Sequence, residues 1–167
     1  LEVSSLASYT LIGLGKGRRA LRAAFSYLVM GTIGGTFFLI GVGLLYQKTG
    51  TLNMADLGSR LPELITSTAV VVGLIFLFLG LAIKMALIPL HGWLPGAYTN
   101  APSAVAPLLA STVTKVALLA WMRIEYALIA PGTVVNHVPV LVLLEDIGIL
   151  AALIGGGLAL ALEPVAA

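Results

Sequence analysis

Residues 64–89 read LITSTAVVVGLIFLFLGLAIKMALIP, and the part from Leu64 to Ile83 contains no charged residue. A run of roughly 20 apolar residues is what an α-helix needs to cross the hydrocarbon core of a bilayer. An open β-sheet in the same place would leave backbone groups unsatisfied in lipid. The stretch therefore predicts a transmembrane helix that carries Lys84 and Pro89 near its end.

The composition of the whole chain agrees with a lipid environment. Hydrophobic residues make up 59% of the 167 residues and charged residues 10%, against about 45–50% and about 25% in soluble proteins. The net charge of +2 comes without a basic face interleaved with aromatic residues, so nucleic acid is excluded as a partner. Because the chain has no cysteine, it has neither disulfides nor thiolate metal sites.

The predicted architecture is an all-α membrane protein, with one transmembrane domain over residues 1–167. Four full transmembrane helices and the end of a fifth are expected, at about 1–14 (partial), 20–46, 64–90, 101–124 and 138–162. The connections at 47–63, 91–100 and 123–139 contain the Gly, Pro, Asn and Asp that break helices. Because the first helix is short and residue 1 is Leu, we expect an internal fragment of a longer, multi-pass protein.

The third helix is predicted to break near Lys84–Pro89. A proline inside a helix cannot donate to the carbonyl four residues earlier, here that of Met85, and its ring clashes there. Unwound backbone at membrane depth is tolerated where it is buried in protein or lines a wet cavity. The break and the charge of Lys84 therefore support each other.

Two lysines stand where hydrophobicity alone would forbid them, Lys84 and Lys115. A lysine at the centre of a membrane helix costs at least roughly 2.5–3.5 kcal/mol. The alternative is that these side chains reach the interface with their charged ends. Burial disfavours an ammonium and a nearby carboxylate favours it, so a lysine with a movable acid partner can take up and release protons. We interpret both lysines as proton-transfer residues.

Two further residues are candidates with open alternatives. His91 lies seven residues beyond Lys84, on nearly the same face if the helix persists, and a neutral imidazole can relay protons. The alternative is a histidine that is only hydrogen-bonded in a turn. From spacing alone, Glu2 is better interpreted as a solvated chain end. The charges of Glu145 and Asp146 either lie at the interface or line an exit.

Enzyme motifs are missing from the sequence. It contains no H-E-x-x-H, no G-x-S-x-G and no phosphate-binding loop, and it has only two histidines from which to build a metal or nucleophile site. We therefore predict no catalytic residue, no cofactor and no metal.

The string LAIKMALIPLHGWLPGAYTNAPSAVAPLLASTVTKVALLAWMR, residues 81–123, resembles the antiporter-like membrane subunits shared by respiratory complex I and the Mrp-type cation/proton antiporters. The stretches LEVSSLASYTLI and RRALRAAFSYLVMGTIGGTFFLIGVGLLY, residues 1–12 and 18–46, resemble the two preceding helices of that family. Complex I members usually read WLPDAH where this chain has Gly96 and Tyr98, which is more similar to the antiporter-type branch.

The resemblance implies a site. In that family a glutamate pairs with a lysine in a broken helix, and a second lysine in the next helix continues a hydrated path at mid-membrane. The matching positions are Glu2, Lys84 and Lys115, with His91 at the histidine between the helices. For Glu2, the resemblance reverses the interpretation from spacing. It also implies a longer parent chain with two inverted repeats.

The resemblance implies a proton-translocating antiporter-like subunit in the bacterial inner membrane. Its partners would be other membrane subunits, the lipid bilayer and protons, with Na⁺ or K⁺ left open as the exchanged ion. In a complex I-like assembly the chain would belong to an NADH:quinone oxidoreductase without holding the redox site. The alternative is a non-conducting membrane scaffold whose ions only fix helix pairing.

Overall fold

The computed structural model describes residues 2–128, 134–135 and 138–161. Within these ranges the chain forms seven α-helices and one antiparallel pair of two-residue strands, β1 and β2. The bounds are α1 (Glu2–Gly13), α2 (Arg18–Thr49), α3 (Met54–Leu64), α4 (Thr68–Lys84), α5 (Trp93–Asn100), α6 (Val105–Leu128), β1 (Val134–Val135), β2 (Val138–Pro139) and α7 (Val140–Ala161). The prediction of an all-α fold is confirmed.

Two of the described helices, α2 and α6, are long and apolar enough to cross a membrane by length and composition. The 32 residues of α2 make a helix about 48 Å long at 1.5 Å per residue. The apolar helix α4 has 17 residues and is about 26 Å long on the same rise. The sequence predicts a helix over 64–90, so the helix seen here is shorter at both ends.

Glycines join α2 to α4. A Cβ added at Gly41 would lie 2.5 Å from the backbone nitrogen of Leu77, and one added at Gly80 would lie 2.5 Å from the carbonyl oxygen of Gly34. Small residues let two helix backbones approach closely in a membrane protein. The backbones of α2 and α4 touch along this glycine seam, which we define as Gly34, Gly41, Gly73 and Gly80.

Two hydrophobic clusters stabilise the bundle, one toward each end of α2. The first joins α2, α3, α4 and α6 through Leu45, Leu57, Leu61, Val70, Leu74, Leu77, Phe78, Leu81, Ile124 and Leu128. The second joins α1, α2, α5 and α6 through Ile12, Ala23, Tyr27, Trp93, Ala97 and Leu109. Because Leu45 and Ala23 lie toward opposite ends of α2, the middle of that helix falls between the clusters.

Parts of two predicted connections are helical. In α3, Leu57 and Leu61 are buried one turn apart, and the Asn53 side chain accepts a hydrogen bond from the Ala55 amide at the N-terminus, 3.0 Å. In α5, Pro95 lies in the first turn, where a proline removes no helical hydrogen bond. Counting helix breakers therefore misses both helices, because such a count does not include the contacts that bury their side chains.

The helix break that the sequence predicts near Lys84–Pro89 lies directly after Lys84. The last residue of α4 is Lys84, immediately before Met85, whose carbonyl is the one that Pro89 cannot serve. The next residues form turns, with Ala86 at a φ of +59° and a cis peptide bond between Ile88 and Pro89. The helix therefore ends directly at the lysine, five residues before the proline.

Candidate functional site

Lys84 is buried, with 7% of its surface exposed. Its Nζ donates a hydrogen bond to Oγ of Ser5 on α1, 3.2 Å away. The neighbouring Ile83 faces Gly34, at 3.1 Å from an added Cβ, and Gly34 lies half-way along α2. Each end of α2 is therefore about 24 Å away along its axis.

A small cavity adjoins this lysine. The centre of a water molecule can occupy about 10 Å³ within this cavity. This volume is about the minimum that one water molecule needs. Hydroxyl groups and a glycine lie in its wall together with the ammonium group. The full lining is Ser4, Ser5, Tyr27, Gly31, Ile83, Lys84, Trp93, Val113 and Ala117.

The end of α4 is closed by a Schellman motif. The amide of Leu87 donates to the carbonyl of Ala82, 2.9 Å, and the amide of Ala86 donates to that of Ile83, 3.2 Å. This pairing satisfies carbonyls that would otherwise be orphaned at the helix end. Glycine usually occupies the left-handed position of this motif, and here Ala86 takes it. The turn that carries Lys84 thus ends in a conformation that an alanine disfavours.

Two stacked aromatic rings border the same cavity. Tyr27 and Trp93 lie face to face, with ring centroids 4.6 Å apart and planes at 15°. Nε1 of Trp93 donates a hydrogen bond to the carbonyl oxygen of Ile83, 3.0 Å away. Both aromatic side chains are buried. The indole therefore contacts the backbone directly next to Lys84.

Lys115 borders a different cavity. Its Nζ donates to the carbonyl oxygen of Ala110, 2.7 Å away, and the residue is exposed on the described surface. The cavity beside it measures about 360 Å³ on the same water-centre basis, and is lined by Met85, Ala86, Leu87, Ile88, Thr114, Lys115, Leu118 and Ala151. The unwound segment 85–88 is thus the wall of this second cavity. The structure brings Lys84 to Ser5, while Lys115 lies across the break.

His91 lies in the turns between the two helices. Because α4 ends at Lys84, the same-face argument for His91 does not apply. Its carbonyl accepts a hydrogen bond from the amide of Leu94, 2.9 Å away. Its Nδ1 is buried and has no hydrogen-bond partner among the described residues.

The remaining predicted residues have simpler positions. Glu2 is the first residue of α1, three residues before Ser5, and its side chain lies outside what the structure describes. Pro89 is exposed after the break. Glu145 and Asp146 are exposed in α7.

Sequence reasoning missed Ser5 and Trp93 as neighbours of Lys84. Ser5 is 79 residues away in sequence, and the only signal for it is that it lies one helical turn after Glu2. For Trp93, the signal is an aromatic side chain with a polar N–H directly after a predicted break, because a buried indole N–H usually finds an acceptor.

Residues 1–163 match the NADH:quinone oxidoreductase/Mrp antiporter transmembrane family. The chain belongs to this family. One relative within it, NADH-quinone oxidoreductase subunit N of Desulforudis audaxviator, is 53% identical over 126 residues, 75% of this chain and 25% of the relative. Another, the D component of the Na⁺/H⁺ antiporter of Bacillus subtilis, is 38% identical over 136 residues, 81% of this chain and 28% of the relative.

A solved structure has the same fold. The membrane-bound sulfane sulfur reductase, an archaeal respiratory membrane complex, contains a chain with a TM-score of 0.72 and 39% identity; the match covers 77% of this chain and 26% of that one. The present chain thus spans about a quarter of the length of the relatives it matches. The resemblance seen in the sequence is confirmed, and family membership identifies an integral membrane subunit.

Relatives from both branches of the family match this chain. Of the two relatives above, the one from the quinone oxidoreductase shares more identity with this chain than the one from the antiporter. The expectation of an antiporter-type sequence, drawn from the motif WLPGAY, therefore finds no support in these identities.

Proposed function

We propose that this chain is part of a multi-pass, proton-translocating subunit in which Lys84 takes up and releases the transported proton. In this proposal the chain supplies four full transmembrane helices and the end of a fifth, in a bacterial inner membrane. Other membrane subunits complete a complex I-like or Mrp-type assembly. The observation that carries the proposal is the burial of Lys84 beside Ser5 at a helix end half-way along α2.

The apolar surroundings of Lys84 affect the charged and neutral forms of its side chain differently. Burying the charged form of a lysine costs free energy, whereas burying the neutral form costs little. The hydroxyl of Ser5 accepts a hydrogen bond from Lys84, and the adjoining cavity admits about one water molecule. These groups stabilise the ammonium, whereas the apolar surroundings favour the amine. Such a balance suits a residue that changes protonation during transport.

We propose roles for the other residues of the path from where they lie relative to Lys84. Glu2 begins the helix that carries Ser5 and is proposed to modulate the charge of Lys84. Lys115 borders the cavity on the far side of segment 85–88 and is proposed to receive the proton next. The buried Nδ1 of His91 makes this imidazole the proposed connector. Protons are the proposed cargo, with Na⁺ as the exchanged ion if the assembly is of the Mrp type.

A transport measurement tests the proposal. In inverted membrane vesicles that contain the intact assembly, we expect Lys84→Ala to abolish proton translocation, measured with a pH-sensitive dye and normalised to assembled complex. Lys48→Ala is the matched control, because Lys48 lies exposed in the last turn of α2. Wild-type translocation by Lys84→Ala would reject the proposal.

The second candidate function is a non-conducting scaffold. The hydrogen bond between Lys84 and Ser5 joins α4 to α1, and buried polar pairs can fix helix register without doing chemistry. Exchanging Glu2 and Lys84 with each other separates the two functions. If Lys84 only fixes helix pairing, the exchanged variant should assemble and the complex should translocate protons as the wild type does. If Lys84 is a tuned proton site, the variant should assemble but lose proton translocation.

A further inference from the structure

The carbonyl of Ile83 accepts hydrogen bonds both from the backbone of its own turn and from a side chain at the end of α4. One comes from the amide of Ala86, 3.2 Å away, and belongs to the Schellman motif. The side-chain bond comes from Nε1 of Trp93, 3.0 Å away, and is buried. Ile83 immediately precedes Lys84, so the indole is bonded to the same turn of backbone that carries the ammonium.

The helix end needs this side-chain bond because its own sequence does not secure it. Ala86 occupies the left-handed position of the motif, with a φ of +59°, where a glycine would be free of steric conflict. An alanine in that position lets the last turn fray more easily than a glycine does. A donor from outside the helix compensates by fixing the carbonyl of Ile83.

The indole itself is held firmly. It stacks on Tyr27 of α2, and Tyr27 in turn meets the edge of Tyr9 of α1 at a centroid distance of 6.2 Å. Trp93 is 4% exposed and is the first residue of α5. The aromatic contacts thus connect α1, α2 and α5 to the carbonyl next to Lys84.

We propose that Trp93 is a positioning residue for Lys84. Its indole N–H holds the last turn of α4, so that Nζ of Lys84 stays on Ser5 and beside the small cavity. Trp93 itself exchanges no proton and acts through Lys84. The transport part of this inference rests on the proposed function, whereas the structural part, the closure of the helix end, does not.

The test removes the indole N–H and keeps an aromatic ring on Tyr27. Trp93→Phe is the variant, and Trp121→Phe is the matched control, because Nε1 of Trp121 also donates one hydrogen bond, to Oε2 of Glu125 at 3.0 Å, away from the cavity of Lys84. Both are studied in the intact assembly. The two readouts are amide hydrogen exchange at residues 85–87 and the pH profile of proton translocation.

We expect Trp93→Phe to raise amide exchange at residues 85–87 and to change the pH profile of proton translocation. The reason for the change is that a loosened Lys84 no longer keeps its hydrogen bond to Ser5. One buried hydrogen bond corresponds to about a 3-fold to 10-fold effect. Trp121→Phe should change neither readout.

A rescue variant separates positioning from simple packing. In Trp93→Phe/Ala86→Gly the glycine secures the helix end without the indole, so amide protection and the pH profile should both return toward wild type. Recovery supports the proposal, and a double variant that behaves like Trp93→Phe overturns it. An unchanged pH profile in Trp93→Phe overturns it as well. If Lys84→Ala translocates protons normally, the proposed function fails, while amide exchange still measures the bond to Ile83.

Discussion

The glycines of α2 allow the cavity beside Lys84 to be tested without disturbing the fold. Gly31 is buried in α2 and lies in the wall of that cavity, and a Cβ added there would meet no atom of the described residues within 4 Å. The methyl group of Gly31→Ala therefore enters the cavity without a clash. A space of about 10 Å³ for water centres cannot hold both a methyl group and a water molecule.

Stability and transport should respond in opposite directions. Replacing glycine by alanine inside a helix stabilises it by about 1 kcal/mol, so the free energy of unfolding should be unchanged or raised by up to that amount. In the proposed function the excluded water molecule binds the proton in transit, and a hydrogen bond to a charged group contributes about 1.5–3 kcal/mol. Proton translocation by Gly31→Ala should consequently fall by about 10-fold to 100-fold.

Two other glycines of the same helix serve as controls. Gly43 is exposed, and its added Cβ would also meet nothing within 4 Å in the described part of the chain, so Gly43→Ala should gain the same stability and translocate normally. Gly41 faces the backbone of Leu77, and overpacking there costs about 1–3 kcal/mol. Gly41→Ala should therefore lower the melting temperature of the assembly.

The assay combines proton translocation in inverted vesicles, normalised to assembled complex, with the melting temperature of the solubilised assembly. Wild-type translocation by Gly31→Ala would refute the reasoning about the cavity. A loss of stability as large as that of Gly41→Ala would refute the reasoning about the open space at Gly31.

Three further predictions concern the helix end, the lysine and α3. Ala86→Gly should raise the free energy of unfolding by about 1 kcal/mol because φ is +59° there; an unchanged or lower melting temperature would contradict this. Ser5→Ala removes the hydroxyl that accepts the hydrogen bond from Lys84 and should lower the rate of proton translocation by about 3-fold to 10-fold, and a wild-type rate would speak against a role for Ser5. The hydrogen bond from Arg60 holds the pKa of Asp56 below its ordinary value of 3.8, so this pair stabilises the fold fully above that value and less as the pH falls through the lower pKa. Melting temperatures of wild type and Asp56→Asn should accordingly converge in strong acid, and a difference that persists there would disagree.

The sequence predicts which long segments are helical better than it predicts where each helix begins and ends. Long apolar runs require helices in lipid, so α2 and α6 lie close to the predicted ranges. The helical parts of 47–63 and 91–100 escape prediction, because α3 and α5 form by burying Leu57, Leu61, Trp93 and Ala97 against helices that are distant in sequence. Tertiary contacts decide such short helices, and a count of breaking residues does not include those contacts.

The candidate site is likewise predictable from the sequence only in part. The burial of Lys84 follows from an ion in an apolar run beside Pro89, and the sequence contains both signals. The contacts to Ser5 and from Trp93 depend on how α1 and α5 meet the end of α4, which no local pattern encodes. The same-face argument for His91 fails because it assumes that the helix continues, whereas α4 ends at Lys84.

The glycine seam between α2 and α4 also determines which parts of the molecule can move. The backbones of α2 and α4 are in contact at Gly41 and Gly80. The two helices therefore form a rigid pair, because sliding one along the other would make their main-chain atoms clash. In the proposed function, a rearrangement during transport is therefore expected in α1 and in the segment 85–100. Lys84 lies where the rigid pair of helices meets α1 and that segment, through the end of α4 and the hydrogen bond to Ser5.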